Sequence, residues 1–462
     1  MGDLRGVAER LDYLDWLGVT DIWLMPIGPS PSYHGYDPTD YTSIAPEYGT
    51  MADFDDLLAQ ARARGIRVIL DLVVNHTSDQ HPWFQAAAAG AEEYRDYYLW
   101  RDEPPDWRGL GSGSPWHPSG GSYYLALFSG NQPDLNHRNP LVERELEEAV
   151  RFWLERGVAG FRVDAIQHIV EGEDGAISNS EANFRWVAKF VEFIESVAPG
   201  AYLLGETWTA TPLIARYHRD AGLHLSTNYP LWEAILSSVQ SRSPANLATV
   251  LEQDLRLYPP GSVRAPFISN HDQVRPATLF GFLRPDPERS RLAAALLLSA
   301  PGVPIVYYGE ELGMPNGEGD DDRMKRTPMR WRAGAGAGFS DSRPWIPFST
   351  EDPTISVDSQ REDEASLLNW YRRLIAVRQA SPALAGGTLE VLDPPERSIL
   401  VLRRTHPEET VLVVANFANR GAVLDLRSLG AASATDLLSG QQLGESALLP
   451  ATSALLLRLP ER

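Results

Sequence analysis

Three carboxylates, Asp164, Glu206 and Asp272, each close an apolar run: GFRVDAIQH over residues 160–168, GETW over 205–208 and FISNHD over 267–272. A fourth segment of the same kind, DLVVNH, covers residues 71–76. Apolar, β-branched stretches of this length read as buried parallel strands, and in barrel enzymes the carboxyl ends of such strands carry the reacting groups. Arg162 precedes Asp164 by two residues, so strand alternation turns both side chains to one face, where a guanidinium keeps a carboxylate ionised. That suits a nucleophile, and a structural ion pair is the plainer reading of the same spacing. Glu206 follows AYLLG, where partial burial raises a carboxyl's pKa and makes a proton donor of it. His271 beside Asp272 also fits a metal-ligand pair or a buried hydrogen-bonded pair.

The elements that must position these groups alternate. Strand-like segments at 20–26, 67–75, 160–165, 201–207, 265–269 and 303–308 are separated by helix-patterned stretches such as 53–64, 141–155 and 183–197, which predicts a parallel sheet with crossover helices. Between His76 and Asn136 the alternation breaks into DWRGLGSGSPWHPSGGSYY, too long for a simple connection and read as a subdomain inserted over the site. From about Gly387 the helical patterns stop, and segments at 398–403, 410–417 and 454–459 alternate like antiparallel strands of a small β-sandwich.

Composition narrows the function classes. The 462 residues, 43% hydrophobic, suffice for a large core and several domains. A formal charge of −21 opposes polyanions and anionic membranes, so neither nucleic acid nor membrane is an expected partner. A neutral ligand is indifferent to that field, and the 13 Trp, 17 Tyr and 14 Phe offer flat apolar faces of the kind sugars stack on, beyond those that serve the core. There is no cysteine, which excludes disulfides and thiolate metal sites. No apolar run reaches the roughly 20 residues of a membrane span, and the N-terminal stretch reads as an amphipathic helix without a signal pattern, so a cytoplasmic location is the expectation.

The order of the clusters resembles the α-amylase family of glycoside hydrolases. Asp71, Asn75 and His76 come first, then the Arg-Asp strand, then the lone Glu, then Asn-His-Asp. The likeness extends to HGYDPTDY (34–41), QPDLN (132–136), YYGEELGM (307–314) and RTPMRW (326–331), and so covers nearly the whole chain. It implies a (β/α)8 TIM barrel, an inserted B domain and a C-terminal antiparallel β-sandwich, with catalytic barrel parts over 1–76 and 137–386, the B domain over 77–136 and the β domain over 387–462. By resemblance Asp164 is the nucleophile, Glu206 the general acid/base and Asp272 the carboxylate that steadies the transition state through sugar hydroxyls. His76, His271 and Arg162 would line the same sugar subsite, with Tyr36 stacking on the sugar face and Asp37 as a hydroxyl partner.

Substrate signals divide. QPDLN resembles the α-glucosidase and oligo-1,6-glucosidase branch, whereas WHPSGGSYYLALF (116–128) and Gln167-His168 resemble intermediate α-amylases. A small residue, Ala165, after the nucleophile resembles α-1,4-acting enzymes. The expectation is retaining hydrolysis of α-1,4 bonds in maltooligosaccharides or starch. The alternatives are an exo-acting α-glucosidase or oligo-1,6-glucosidase, a transglycosylase forming trehalose or sucrose isomers, and a non-catalytic carbohydrate-binding relative on the same fold. Members of the family begin with a strand of the form YQIYPRSF, yet this chain opens MGDL, so the first barrel strand is expected to be missing, with an upstream signal peptide and secretion as the corollary if the start lies inside a longer protein. No cofactor is required by the chemistry. A structural calcium of the family's N-terminal loop would lose most of its ligands, leaving Asp3 and Asn75 as candidates.

Overall fold

A computed structural model describes residues 2–111, 113–281 and 286–460. It divides into two compact units, Gly2–Thr227 with Pro259–Ser262, and Asn228–Tyr258 with Val263–Arg462.

In the first unit the strands are, in chain order, β1 (Asp21–Leu24), β2 (Arg67–Leu72), β3 (Trp100–Arg101), β4 (Trp116–Ser119), β5 (Ser122–Leu125), β6 (Gly160–Val163), β7 (Tyr202–Gly205) and β8 (Leu225–Thr227). A parallel sheet runs β1-β2-β6-β7-β8. Residues buried on both faces explain its sequence: Val68, Ile69 and Leu70 form an unbroken apolar run, as do Phe161 and Val163 around Arg162. Helices cross between the strands. In Met51–Ala63 the buried Phe54, Leu57, Leu58 and Ala61 recur at one face, and a capping box of Thr50 and Asp53 fixes where it starts. Pro140–Arg156 starts on the Asn139 side chain and ends at Gly157 in the left-handed region. The 77–136 insertion carries the antiparallel sheet β3-β5-β4, with Trp116, Leu125 and Leu127 as a small core of its own.

The strands stop earlier than the sequence suggests. β2, β6 and β7 end at Leu72, Val163 and Gly205, so the polar residues that follow leave the ladder and turn. β6 and β7 lie so close that a Cβ on Gly160 would sit 2.1 Å from the Tyr202 carbonyl oxygen, which is why no other residue fits there.

The second unit holds β9 (Val263–Ala265), β10 (Thr388–Leu392), β11 (Ile399–His406), β12 (Glu409–Asn416), β13 (Ala422–Asp425), β14 (Ala434–Asp436), β15 (Gln442–Leu443), β16 (Ser446–Leu449) and β17 (Ser453–Arg458). The predicted strand at 303–308 is not a regular one. Its backbone donates from Val303 to Arg264 and from Ile305 to Pro266, at 2.8 Å each, while Pro304 between them has no N–H to extend a ladder. The C-terminal part is a sandwich of an antiparallel sheet, β10-β11-β12-β17-β14-β15, and the pair β13-β16. Val401, Leu412, Val414 and Leu457 of one meet Leu424, Ala447 and Leu449 of the other in a common core. Among the described residues no helix is long and apolar enough to cross a membrane.

Candidate active site

The first unit carries six of the sequence-predicted site residues: Asp164 and Glu206 just beyond β6 and β7, Arg162 within β6, His76 after β2, and Tyr36 and Asp37 on the long loop after β1. Register does much of the placing. Asp71 pairs with Arg162, and the last paired step between β6 and β7 is Val163 with Gly205, so Asp164 and Glu206 are the next residues on neighbouring strands. Backbone bonds continue one step further, from Asp164 N to Leu72 O and from Glu206 N to Val163 O, both 3.0 Å. Asp164 and Glu206 thus leave neighbouring strands, about 4.8 Å apart, at the same level.

Arg162 binds them into one cluster. Arg162 is 1% exposed and donates from Nη1 to Asp164 at 2.6 Å and to Asp71 at 3.0 Å, while Nη2 forms an ion pair with Glu206 Oε1 at 2.8 Å. Asp71 is held in turn by Tyr36 Oη at 2.8 Å and Trp23 Nε1 at 3.1 Å. Burial pushes the guanidinium down, but Asp71, Glu206, Tyr36 and Asp164 together hold it well above its ordinary pKa. For Asp164 burial pushes the carboxyl up, Arg162 pulls it down, and Glu206 and Asp71 push it up again; the net is upward. Three carboxylates thus crowd one cation, and the guanidinium that the sequence pairs with Asp164 also serves Asp71 and Glu206.

The turns beyond the strands are fixed by polar side chains. Asn183, fully buried, donates to Ile166 O at 2.9 Å and accepts from Val170 N at 3.0 Å, which pins the turn after Asp164. Thr207 N and Oγ1 both bond Thr227, at 2.9 and 2.8 Å, and pin the residue after Glu206. Ala165 has φ 46 and ψ 40, a left-handed conformation that costs an L-residue about 1 to 2 kcal/mol, and its N–H donates to Glu206 Oε2 at 2.9 Å. A Cβ on Gly205 would meet Leu223 Cδ2 at 2.8 Å and Ile166 Cδ1 at 2.9 Å, so the approach to Glu206 admits only glycine without a shift.

His76 faces the Tyr36 carbonyl at 2.7 Å and the Asn75 side-chain oxygen at 2.9 Å, and burial pushes it down to about 4, against the pull of that carbonyl. Asp37 is buried, and its Oδ1 accepts from the hydroxyls of Ser30 and Ser32. Phe128 and Trp208 are 41% and 55% exposed, and Phe128 sits against the rings of His76 and His168.

The second unit carries its own cluster. Asp272 receives Arg326 Nη2 at 2.9 Å and His271 Nε2 at 3.0 Å, while Arg326 Nε reaches His271 O at 3.2 Å. Arg326 had no role assigned from sequence, and neither had Asp71 or Trp23. The signals were there: RTPMRW begins at Arg326, and Asp71 opens DLVVNH.

Asp3 caps the helix Leu4–Glu9 by accepting from Gly6 N, and Asn75 spends its amide on His168 O at 2.8 Å and its oxygen on His76. Among the described residues, no group of three or more His, Asp or Glu side chains is arranged to hold a metal ion.

The family model described as the α-amylase catalytic domain matches residues 1–387, and that of the maltogenic amylase C-terminal domain matches 389–452. Alpha-amylase 3 of Dictyoglomus thermophilum is 38% identical over 90% of this chain and 81% of its own length. Oligo-1,6-glucosidase of Parageobacillus thermoglucosidasius is 32% identical over 92% of this chain and 88% of its own. A crystal structure of an α-amylase from H. orenii superposes with a TM-score of 0.87 at 35% identity, covering 99% of this chain and 95% of that one. The fold is therefore a TIM barrel followed by an antiparallel β domain.

Proposed function

The chain belongs to the α-amylase family of glycoside hydrolases, and we propose that it hydrolyses α-1,4-glucosidic bonds of maltooligosaccharides or starch with retention of configuration. The observation that carries the chemistry is Arg162, one buried guanidinium bridging Asp164 and Glu206 on neighbouring strands. Retention needs one carboxylate to attack the anomeric carbon and one carboxyl to protonate the leaving oxygen, and Asp164 and Glu206, gathered on one cation, are the pair that would supply them.

In the first half-reaction the Asp164 carboxylate attacks C1 as Glu206 gives its proton to the glycosidic oxygen, leaving a glucosyl ester on Asp164. In the second, Glu206 takes a proton from water, the hydroxyl adds to C1 from the opposite face, and Asp164 is released. Asp272, steadied by Arg326 and His271, serves as the third carboxylate, bonding sugar hydroxyls. Tyr36 and His76 line the sugar subsite with Arg162. Exposed Phe128 and Trp208 provide stacking faces for further sugar units, which supports an oligosaccharide rather than a monosaccharide glycoside.

The α-1,4 preference rests on the small Ala165 and on the similarity to an α-amylase; an exo-acting α-glucosidase is the second reading, supported by the likeness to an oligo-1,6-glucosidase. A product time course on maltotriose, maltoheptaose, isomaltose and sucrose separates them. Mixed oligosaccharides from maltoheptaose support the α-amylase reading. Early glucose alone, with isomaltose cleaved, replaces it with the exo-glucosidase, and isomers formed from sucrose replace it with transglycosylation. No turnover of any substrate leaves a carbohydrate-binding protein.

A further inference from the structure

The peptide that joins Asp164 to Ala165 is shared by both catalytic groups. Its carbonyl side belongs to the nucleophile, and its N–H points at Glu206 Oε2, 2.9 Å away. A peptide unit is planar and stiff, so the two carboxyl-bearing residues are linked through one rigid plate. That orientation is reached only because Ala165 adopts the left-handed region, one of five non-glycine residues to do so among those described. The conformation is held from the other side as well: Ala165 O accepts from His168 N at 2.9 Å, and the methyl group is buried. Backbone strain at a residue that adjoins the chemistry persists where the surroundings over-determine it and is commonly part of the mechanism.

We infer that Ala165 is a positioning residue for the acid/base, its left-handed turn aiming a backbone N–H that fixes Glu206 Oε2 in place for its proton transfers in both half-reactions. This rests on the reading of Glu206 as acid/base. Arg162 Nη2 pairs as a charge with the other oxygen, Oε1, at 2.8 Å, so the N–H is the directional contact that sets the plane of the carboxyl group, which the cation alone would leave free to rotate. Of the standard replacements only proline deletes the N–H, which makes the role invisible to an alanine scan.

The test uses the full chain with the Ala165 residue replaced by lactic acid, so that an ester oxygen stands in place of the N–H. Loss of a donor to a charged acceptor moves the alkaline limb of kcat/KM for maltoheptaose to higher pH by about one unit, because the carboxylate form is less favoured. kcat falls and KM changes little. Ala165→Gly reaches the same backbone without the strain, and its alkaline limb stays where the parent's is. Ala165→Val, β-branched at positive φ, displaces the plate and moves the limb as the ester does. Circular dichroism and melting of each protein separate misfolding from the effect. An ester form that folds and keeps the parent's alkaline limb overturns the inference. Glu206→Gln with undiminished activity overturns instead the acid/base reading on which it rests.

Discussion

Glu310 is a buried acid whose replacement has a calculable consequence. It lies in the second unit, 4% exposed, with Tyr371 Oη at 2.8 Å from Oε1 and the Ser269 hydroxyl on Oε2. Burial, against the pull of those two hydroxyls, pushes its carboxyl from 4.5 up to about 8. Between these values the folded state holds a proton that the unfolded state has released, so the unfolded state binds fewer protons and stability falls as pH rises. At about 1.4 kcal/mol per pH unit, the group removes about 3 kcal/mol by pH 7 and about 5 kcal/mol above pH 8, and nothing below pH 4.5. Glu310→Gln keeps the shape, presents an oxygen and an amide to the same two hydroxyls, and cannot ionise. Its stability relative to the parent, from urea unfolding at pH 5, 6, 7 and 8, should grow steadily across the series. Other raised acids such as Asp254, at about 6, titrate equally in both proteins and cancel in the difference. A difference between the two proteins that does not vary with pH would refute the reasoning, because it would mean Glu310 is ionised in the fold throughout.

Three further outcomes concern the reaction cluster. Arg162→Gln leaves Asp71, Asp164 and Glu206 buried without their cation, which should lower the unfolding free energy by about 3 to 5 kcal/mol in urea titrations and abolish turnover. Glu206→Gln should slow maltoheptaose hydrolysis by about 10²- to 10⁴-fold while sparing an α-glucoside with a dinitrophenolate leaving group, which needs little protonation; equal losses on both would count against the acid role. Because burial raises the Asp164 carboxyl and the nucleophile must be ionised, activity should be lost as pH falls at a point above the ordinary carboxylate range, read from the acid limb of kcat/KM. A limb at an ordinary carboxylate value would show that Arg162 outweighs burial after all.

Much of the barrel was legible because its strands are buried on both faces and so spell themselves as apolar runs. RVILDL and GFRV are visible without any structure. β8, Leu225–Thr227, was not: it is three residues long, follows the helix-ending Gly222 directly, and mixes Leu with Ser and Thr whose hydroxyls are used internally. β13 to β16 were missed for a related reason, being two to four residues each with exposed apolar residues such as Val423 and Leu448 that blur the alternation. In the site, period-two alternation was enough to pair Arg162 with Asp164. It could not show that the same guanidinium also serves Glu206 and Asp71, because those contacts depend on inter-strand register rather than on spacing within one strand. Nor does any sequence pattern mark Ser30 and Ser32 as donors to Asp37 Oδ1, or Ala165 as left-handed: both are properties of turn geometry that spacing does not specify.

The most direct test of the account is to trap the glycosyl enzyme. Incubation with 5-fluoro-α-glucosyl fluoride, which forms the ester readily and releases it slowly, followed by peptide mass spectrometry, should give one added fluoroglucosyl group on the peptide containing GFRVDAIQH, at Asp164. Label on Glu206, on Asp272 or on no residue while the sugar fluoride is still turned over would contradict the retaining mechanism with Asp164 as nucleophile.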